Sequence, residues 1–477
     1  MCESGVLSSG TLQHHDERQA PESTTGVVEN GIQATMTWRP PMFKRAIAGT
    51  AVFLLLTGTA HAQLSETEQR IVAAVKQRTP AALELLEKSV RINSGTLNPE
   101  GVRAVGEIYR AELDALGFKT RWIDMPPAMK RAGHLAATHE GGQGKRVLLL
   151  GHLDTVFEKG SAVPLWERQG DRVRGQGVND MKGGDVIMIE ALRALKSVGV
   201  LDGANVEILF TGDEERTGNP LQTARAEMVS MGKRADYALS FEGSNKHDGV
   251  DTASIARRSA GGWVLHVKGK PAHSMGVFSA QSGYGAIYET ARILNAFREQ
   301  AIEPSLTFNP GLVFGGTNVS YAEDTATASA FGKSNVIARD AEVLGDLRYL
   351  SPEQGERARQ KMQAIVSTGN LPGTSATISF TESYPPMPPT EPGRKLAELY
   401  SKASLDAGLG RIDILDPSLR GAGDVQFVAP YTVGIDGLGA QGRGAHTDDE
   451  DLEIASIERG AIRAALLVYR LTQSAPR

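Results

Sequence analysis

Two imidazoles and three carboxylates stand in glycine-rich turns or just past apolar runs of this chain. They are His152 in GHLDTVF, Asp180 in GVNDMKGG, Glu215 in TGDEERTG, Glu242 in LSFEGSN and His446 in GRGAHTDDE. Nitrogen and oxygen donors of these types suit a pair of divalent metals such as zinc. Such a pair makes hydroxide from water and polarises a carbonyl in one site, which is hydrolytic chemistry.

The neighbours of these residues extend the pattern. His152 and Asp154 form H-x-D. A ligating imidazole needs its second nitrogen held, usually by a carboxylate, and Asp154 is near enough for that task; the plain alternative is a solvated loop pair. Asp180 lies before two glycines that let the backbone turn sharply. Its carboxylate could bridge two metals, cap the helix expected from Met181, or do both. Asp213, Glu214 and Glu215 follow an apolar run. A solvated acidic turn is the ordinary reading, yet three adjacent acids repel one another unless cations neutralise them. Glu215 as ligand and Glu214 as general base would divide the labour, the base moving a proton from water to the leaving amine. Glu242 and His446 are each weak signals alone. His273, in GKPAHS, reads either as a surface histidine or as a donor to the oxyanion of a tetrahedral intermediate.

Composition narrows the possibilities. The chain has 477 residues, 40% hydrophobic and 22% charged, with a formal charge of −5. That length favours two or three domains, and the small charge argues against a nucleic-acid partner. Arg39, Lys44 and Arg45 precede the apolar run 46–56, and Ala60-His61-Ala62 follows. This is the grammar of a secretory signal cleaved after Ala62, which predicts a periplasmic or secreted protein without a stable membrane anchor. Met1, Met36 and Met42 are all possible starts. The single cysteine, Cys2, falls in the removed part, so metal ligands must be His and carboxylate.

The elements expected to position these groups are helices and buried strands. Ser65 and Glu68 make a capping box, Thr79-Pro80 predicts a helix restart, and Asn98 opens another helix ended at Gly117. Val147–Leu150, Val206–Phe210 and Tyr237–Phe241 read as central parallel strands, with a helix Met181–Lys196 between the first two. His152, Glu215 and Glu242 each follow such a strand, where open α/β sheets place their sites. Residues 255–380 then read as β-α-β-β-α-β. Their first helix is expected over Ser282–Glu299, with Ile287, Ile293, Leu294 and Phe297 inward. The fold class is therefore α/β, a mostly parallel sheet covered by helices, with an inserted ferredoxin-like domain. The expected parts are 1–62 as N-terminal extension and signal, 63–254 and 381–477 as the catalytic domain, and 255–380 as the insertion. Tyr384 opens the proline-rich connector YPPMPP back to the main sheet.

G-H-x-D-T-V, N-D-x-K-G-G, D-E-E, G-K-x-A-H-S and a late G-x-x-A-H-T occur here in one order. In this the chain resembles the dinuclear zinc exopeptidases and amidohydrolases that include carboxypeptidase G (glutamate carboxypeptidase), aminoacylase, carnosine-type dipeptidases and succinyl-diaminopimelate desuccinylase. The likeness runs from about Leu64 to the C-terminus and is nearest to carboxypeptidase G. It implies two zinc ions, which cobalt or manganese could replace. His152 and Glu242 would hold one, Glu215 and His446 the other, and Asp180 would bridge them. It implies Glu214 as base, Asp154 as orienting acid, and a cis peptide at Asp180-Met181. It also implies a homodimer through the inserted domain, with His273 reaching the partner's site.

Asn335 and Arg348 match positions that clamp the substrate carboxylate, although Arg348 could equally pair with Asp346 on its own strand. Two departures stand out. Tyr321–Lys333 looks like an insertion, and Tyr384 replaces an arginine that serves a glutamate side chain, which puts strict glutamate preference in doubt. The activity implied is a metallocarboxypeptidase releasing a C-terminal amino acid from a small peptide or N-acyl amino acid, through metal-bound hydroxide and the Glu base. The alternatives are a dipeptidase or aminoacylase, a non-catalytic scaffold that would have lost Glu214 or a ligand, and a dinuclear phosphoesterase. The last lacks a phosphate-cradling glycine motif.

Overall fold

Apolar runs that alternate between two buried faces form the centre of one sheet. In the strand Gln143–His152, Val147 and Leu149 enter one hydrophobic core while Leu148 and Leu150 enter another. Burial on both faces is what a near-continuous apolar strand requires. The computed structural model describes residues 64–322 and 326–473; the signal segment and the possible start sites lie outside the described residues.

The main sheet has six strands in the order Lys119–Ile123, His134–Glu140, Ala204–Thr211, Gln143–His152, Tyr237–Ser240 and Val433–Ile435. Its last four strands are parallel, and the first two add an antiparallel edge. Helices Glu66–Val90, Pro99–Ala115, Gly183–Val198, Glu391–Asp406 and Ala455–Thr472 contribute to the larger core. Ala226–Gly232 and Val425–Val428 contribute to the smaller one. Ser65 and Asn98 cap the first two helices as expected.

The expected restart at Thr79-Pro80 is absent. Helix Glu66–Val90 runs through Pro80, with Ile71, Val75, Ala82, Leu86 and Val90 buried along its length. That stripe packs on the Gly183–Val198 and Ala455–Thr472 helices. Its burial outweighs the roughly 3 kcal/mol an interior proline costs, and the Thr79 hydroxyl is satisfied by Glu458 at 2.7 Å.

A second sheet is antiparallel, in the order Thr307–Gly316, Asp340–Arg348, Ala260–Gly269, Thr374–Tyr384. Helices Ala286–Gln300 and Pro352–Ser367 pack with it around Trp263, Leu265, Ile293, Phe297, Val343 and Met362. This is the ferredoxin-like β-α-β-β-α-β unit carried within the α/β chain. Its first helix starts four residues later than expected, because Gly283 and Gly285 take positive φ before it. In that helix Ala286, Ile293 and Phe297 turn inward, and Ile287, one residue further round, is 53% exposed rather than buried. The Tyr321–Lys333 segment contributes to an added hairpin, Asn318–Ala322 paired with Thr327–Phe331.

Candidate metal centre

Parallel strands deliver their C-terminal ends to one edge, and the acids and imidazoles gather there. His152 ends the strand Gln143–His152, and its Nε2 lies 3.2 Å from Asp180 Oδ1 and 3.6 Å from Glu242 Oε1. His446 Nε2 lies 3.1 Å from Asp180 Oδ2 and 3.0 Å from Glu215 Oε2. Each carboxylate oxygen of Asp180 thus faces a different trio, His152–Asp180–Glu242 and Asp180–Glu215–His446. Two local backbone features occur at these side chains. Asp180 sits in a tight turn, Val178–Lys182, with a cis Asp180-Met181 peptide. His446 adopts a left-handed backbone, φ 66°, which a non-glycine residue rarely does.

Asp154 does different work from that expected. The His152 Nδ1 is 3.0 Å from the main-chain carbonyl of Asp154, while the nearest carboxylate oxygen is 3.6 Å away. The Asp154 carboxylate instead accepts from the Thr96 hydroxyl at 2.6 Å and from the main-chain N–H groups of Glu214 and Glu215 at 3.0 and 3.2 Å. It therefore fixes the backbone that carries both glutamates.

The acid run is also not neutralised as a block. Asp213 turns away and pairs with buried Arg225 at 2.5 Å, whose Nε lies 2.9 Å from Asp424. Neither Arg225 nor Asp424 was legible in advance, since nothing near either residue in the chain marks the pairing. Glu450 was missed as well. Its Oε1 accepts from the N–H groups of Asn179 and Asp180 at 2.8 and 3.0 Å, holding the turn that carries Asp180. A signal existed there, because Glu450 lies within the acidic run Asp448–Asp451 that follows His446.

Protonation records the crowding. Burial and the adjacent Asp180 push Glu242 up to about 8, and the same causes push Glu450 up to about 8. Hydrogen bonds to Asp180 and Glu215 push His446 up to about 11. Burial raises Glu214 well above the ordinary carboxylate range, with Glu242 and Asp424 adding to it. Burial opposes ionisation of Asp180 too, but the two imidazoles win and hold it well below its usual value. Glu215 Oε1 is buried without a hydrogen-bond partner among the described residues. Carboxylates this crowded need cations or extra protons, here taken up by the imidazoles and by Glu242 and Glu450, so the donor set fits two divalent metals.

That balance makes stability depend on pH. Glu242, Glu450 and His446 all have folded values above their ordinary ones of 4.5, 4.5 and 6.5, so at these groups the metal-free folded chain holds more protons than the unfolded one. Stability from these groups is full below the unfolded values and is lost as pH rises through the folded ones. Metal-free protein is therefore expected to melt at steadily lower temperature from about pH 5 to about pH 8, and zinc should flatten that slope by displacing the protons. Thermal melts in chelator that stay level or rise over this range would contradict the protonated cluster.

Asp180, Glu214, Glu242 and His446 line a cavity of about 260 Å³, together with Arg257 and Arg420. Other expected site residues lie elsewhere. His273 is exposed, its Nδ1 accepting from the Met275 N–H at 3.2 Å, and Asn335 is beside it through a Ser274 N–H to carbonyl bond of 2.9 Å. Arg348 pairs with Asp346 at 2.8 Å, as its plainer reading had it. Asn335 and Arg348 flank opposite ends of the strand Asp340–Arg348, roughly 25–30 Å apart within one chain. The Tyr384 hydroxyl donates to the Glu214 carbonyl at 2.8 Å, and its ring packs on Phe427. It braces the glutamate backbone from the side opposite Asp154.

Residues 148–470 match the model of Peptidase family M20/M25/M40. Carboxypeptidase G2 of Pseudomonas sp. (strain RS-16) is 28% identical over 436 residues, 91% of this chain and 99% of that protein. Succinyl-diaminopimelate desuccinylase of Xylella fastidiosa (strain M12) is 26% identical over 378 residues, 76% of this chain and 91% of that protein. The solved aminopeptidase PepT from Bacillus cereus ATCC 10987 has the same fold, with TM-score 0.66 and 18% identity over 82% of this chain and 98% of its own. With the family model spanning most of the chain and two ligand trios meeting at one aspartate, the chain belongs to Peptidase family M20/M25/M40 and is a metal-binding hydrolase of that family.

Proposed function

We propose that this protein is a dinuclear zinc carboxypeptidase that hydrolyses an amide to release a C-terminal amino acid from a small peptide or an N-acyl amino acid. The observation that carries the reading is the Asp180 carboxylate, which offers one oxygen to each of two ligand trios while Glu214 lines the same cavity. His152 and Glu242 would hold one ion, Glu215 and His446 the other, and Asp180 both. Bound there, the ions would acidify a water and polarise the scissile carbonyl.

The chain's own groups do the rest. Glu214, ionised once cations offset its acidic neighbours, takes the proton from the attacking water and hands it to the leaving nitrogen. Asp154 and Tyr384 hold its backbone from two sides. His273 and Asn335 lie on the inserted domain, 255–380, outside their own subunit's cavity, so we assign them to the partner's site in a homodimer. Met275, 87% exposed, and the exposed Phe278, Ile287, Tyr288 and Phe331 surround them with apolar surface that a second copy would cover. Arg348 is assigned to the substrate carboxylate with Asn335. The N-terminal segment supports export to the periplasm or beyond. No helix among the described residues is long and apolar enough to cross a membrane.

The resemblance to a desuccinylase favours a second reading, an aminoacylase or deacylase that selects its substrate by the acyl group rather than by the released amino acid. One experiment separates the readings: protein starting at Gln63, with zinc or with chelator, is offered benzoyl- and acetyl-capped Glu, Phe, Leu and Ala, free dipeptides and folate. Sedimentation at the assay concentration accompanies it. Chelator-sensitive release of amino acids from a dimer is expected, and the ranking separates peptidase from deacylase. A zinc-loaded dimer that releases nothing would end the reading, and a fully active monomer would end the shared site.

A further inference from the structure

The metal cavity holds two arginines, and they differ in one respect. Arg257 forms an ion pair with Asp436 and donates to the carbonyls of Gly421 and Ala422 at 2.8 and 2.7 Å. It is neutralised and anchors the loop. Arg420 begins that loop, and its side chain makes no ion pair and no hydrogen bond to a described residue. Its Nε is buried and unpartnered.

A guanidinium nitrogen buried without a partner is costly, and the half-buried Arg420 keeps the rest of its fork open to a matching anion. The charge balance points the same way. Two divalent cations, if bound, would offset Asp180, Glu214, Glu215 and Glu242, and Asp436 offsets Arg257, so Arg420 is the cavity-lining arginine without an acid partner among the described residues. A planar guanidinium fork fits a carboxylate bidentately.

We propose that Arg420 recognises a carboxylate of the substrate and so restricts this hydrolase to anionic substrates. This rests on the hydrolase reading for its setting, although binding tests it separately. The carboxylate can come from either side of the scissile amide: the α-carboxylate of the released amino acid, or an acid on the acyl group.

Calorimetry on zinc-loaded protein decides the recognition itself. Succinate, glutarate and adipate are compared with their monoamides, one carboxylate being free to approach the metals and the other to reach Arg420. The native chain is expected to prefer at least one diacid by about 10- to 100-fold. Arg420→Met should erase that preference while monoamide affinity, zinc content and melting temperature hold, and Arg420→Lys should keep part of it. A preference that persists in Arg420→Met, or is missing at every length in the native chain, overturns the proposal. Because this readout needs no turnover, an inactive but discriminating protein would refute the hydrolase reading alone.

With turnover, kcat/KM for N-succinyl-leucinamide and for N-acetyl-leucine locates the carboxylate. A loss of about 10-fold or more in Arg420→Met confined to the first places it on the acyl group, and one confined to the second places it on the leaving amino acid. Equal kcat/KM for native and variant protein on both substrates overturns the proposal.

Discussion

Glu214→Gln is expected to lower kcat by about 10²- to 10⁴-fold or more while both zinc ions stay bound. Glutamine keeps the size of the side chain and cannot accept the proton from the attacking water. The residue belongs to neither ligand trio, and its backbone remains held by Asp154 and by the Tyr384 hydroxyl. The variant should therefore fold, load metal and bind substrate with a near-normal KM, the signature of a group that acts only in the transition state. Steady-state kinetics with metal analysis of the same sample checks this. Turnover within 10-fold of the native enzyme would remove Glu214 from the base role. Loss of one ion would make it a ligand.

Asp180→Ala is expected to have the broader effect. Each trio loses its Asp180 oxygen, which leaves His152–Glu242 and Glu215–His446 as two-ligand remnants. Zinc content should fall from two per chain toward zero at micromolar free zinc, and activity should fall by about 10³-fold or more, since the several kcal/mol that the ions supply go with them. Glu242→Ala and Glu215→Ala each remove a ligand from one trio only, so they should weaken one ion more than the other. Metal titration of the three variants tests this. Asp180→Ala that retains two tight ions would sink the bridging assignment.

Much of the centre was legible before any coordinates, for a local reason. Apolar runs such as Val147–Leu150 and Val206–Phe210 mark strands buried on both faces, and parallel strands bring their C-terminal ends to one edge. Chemistry-bearing residues just past such runs, His152, Glu215 and Glu242, must then share that edge. The ferredoxin-like β-α-β-β-α-β order was readable in the same way, from alternation and helix spacing, although its last strand runs on to Tyr384.

Only the tertiary structure decided how the buried charges are partnered. Arg225 pairs with Asp213 and Asp424, Glu450 holds the turn of Asp180, and Arg257 takes Asp436, leaving Arg420 without a partner among the described residues. These partners are brought together by strand order and loop return, not by spacing along the chain. The same holds for Pro80, kept in a continuous helix by the packing of its buried stripe, and for Ile287, which lies off the inward face set by Ala286, Ile293 and Phe297. Local pattern determined which residues could do chemistry. Long-range packing determined their protonation, which acids face the cavity, and which arginine is left to meet a substrate.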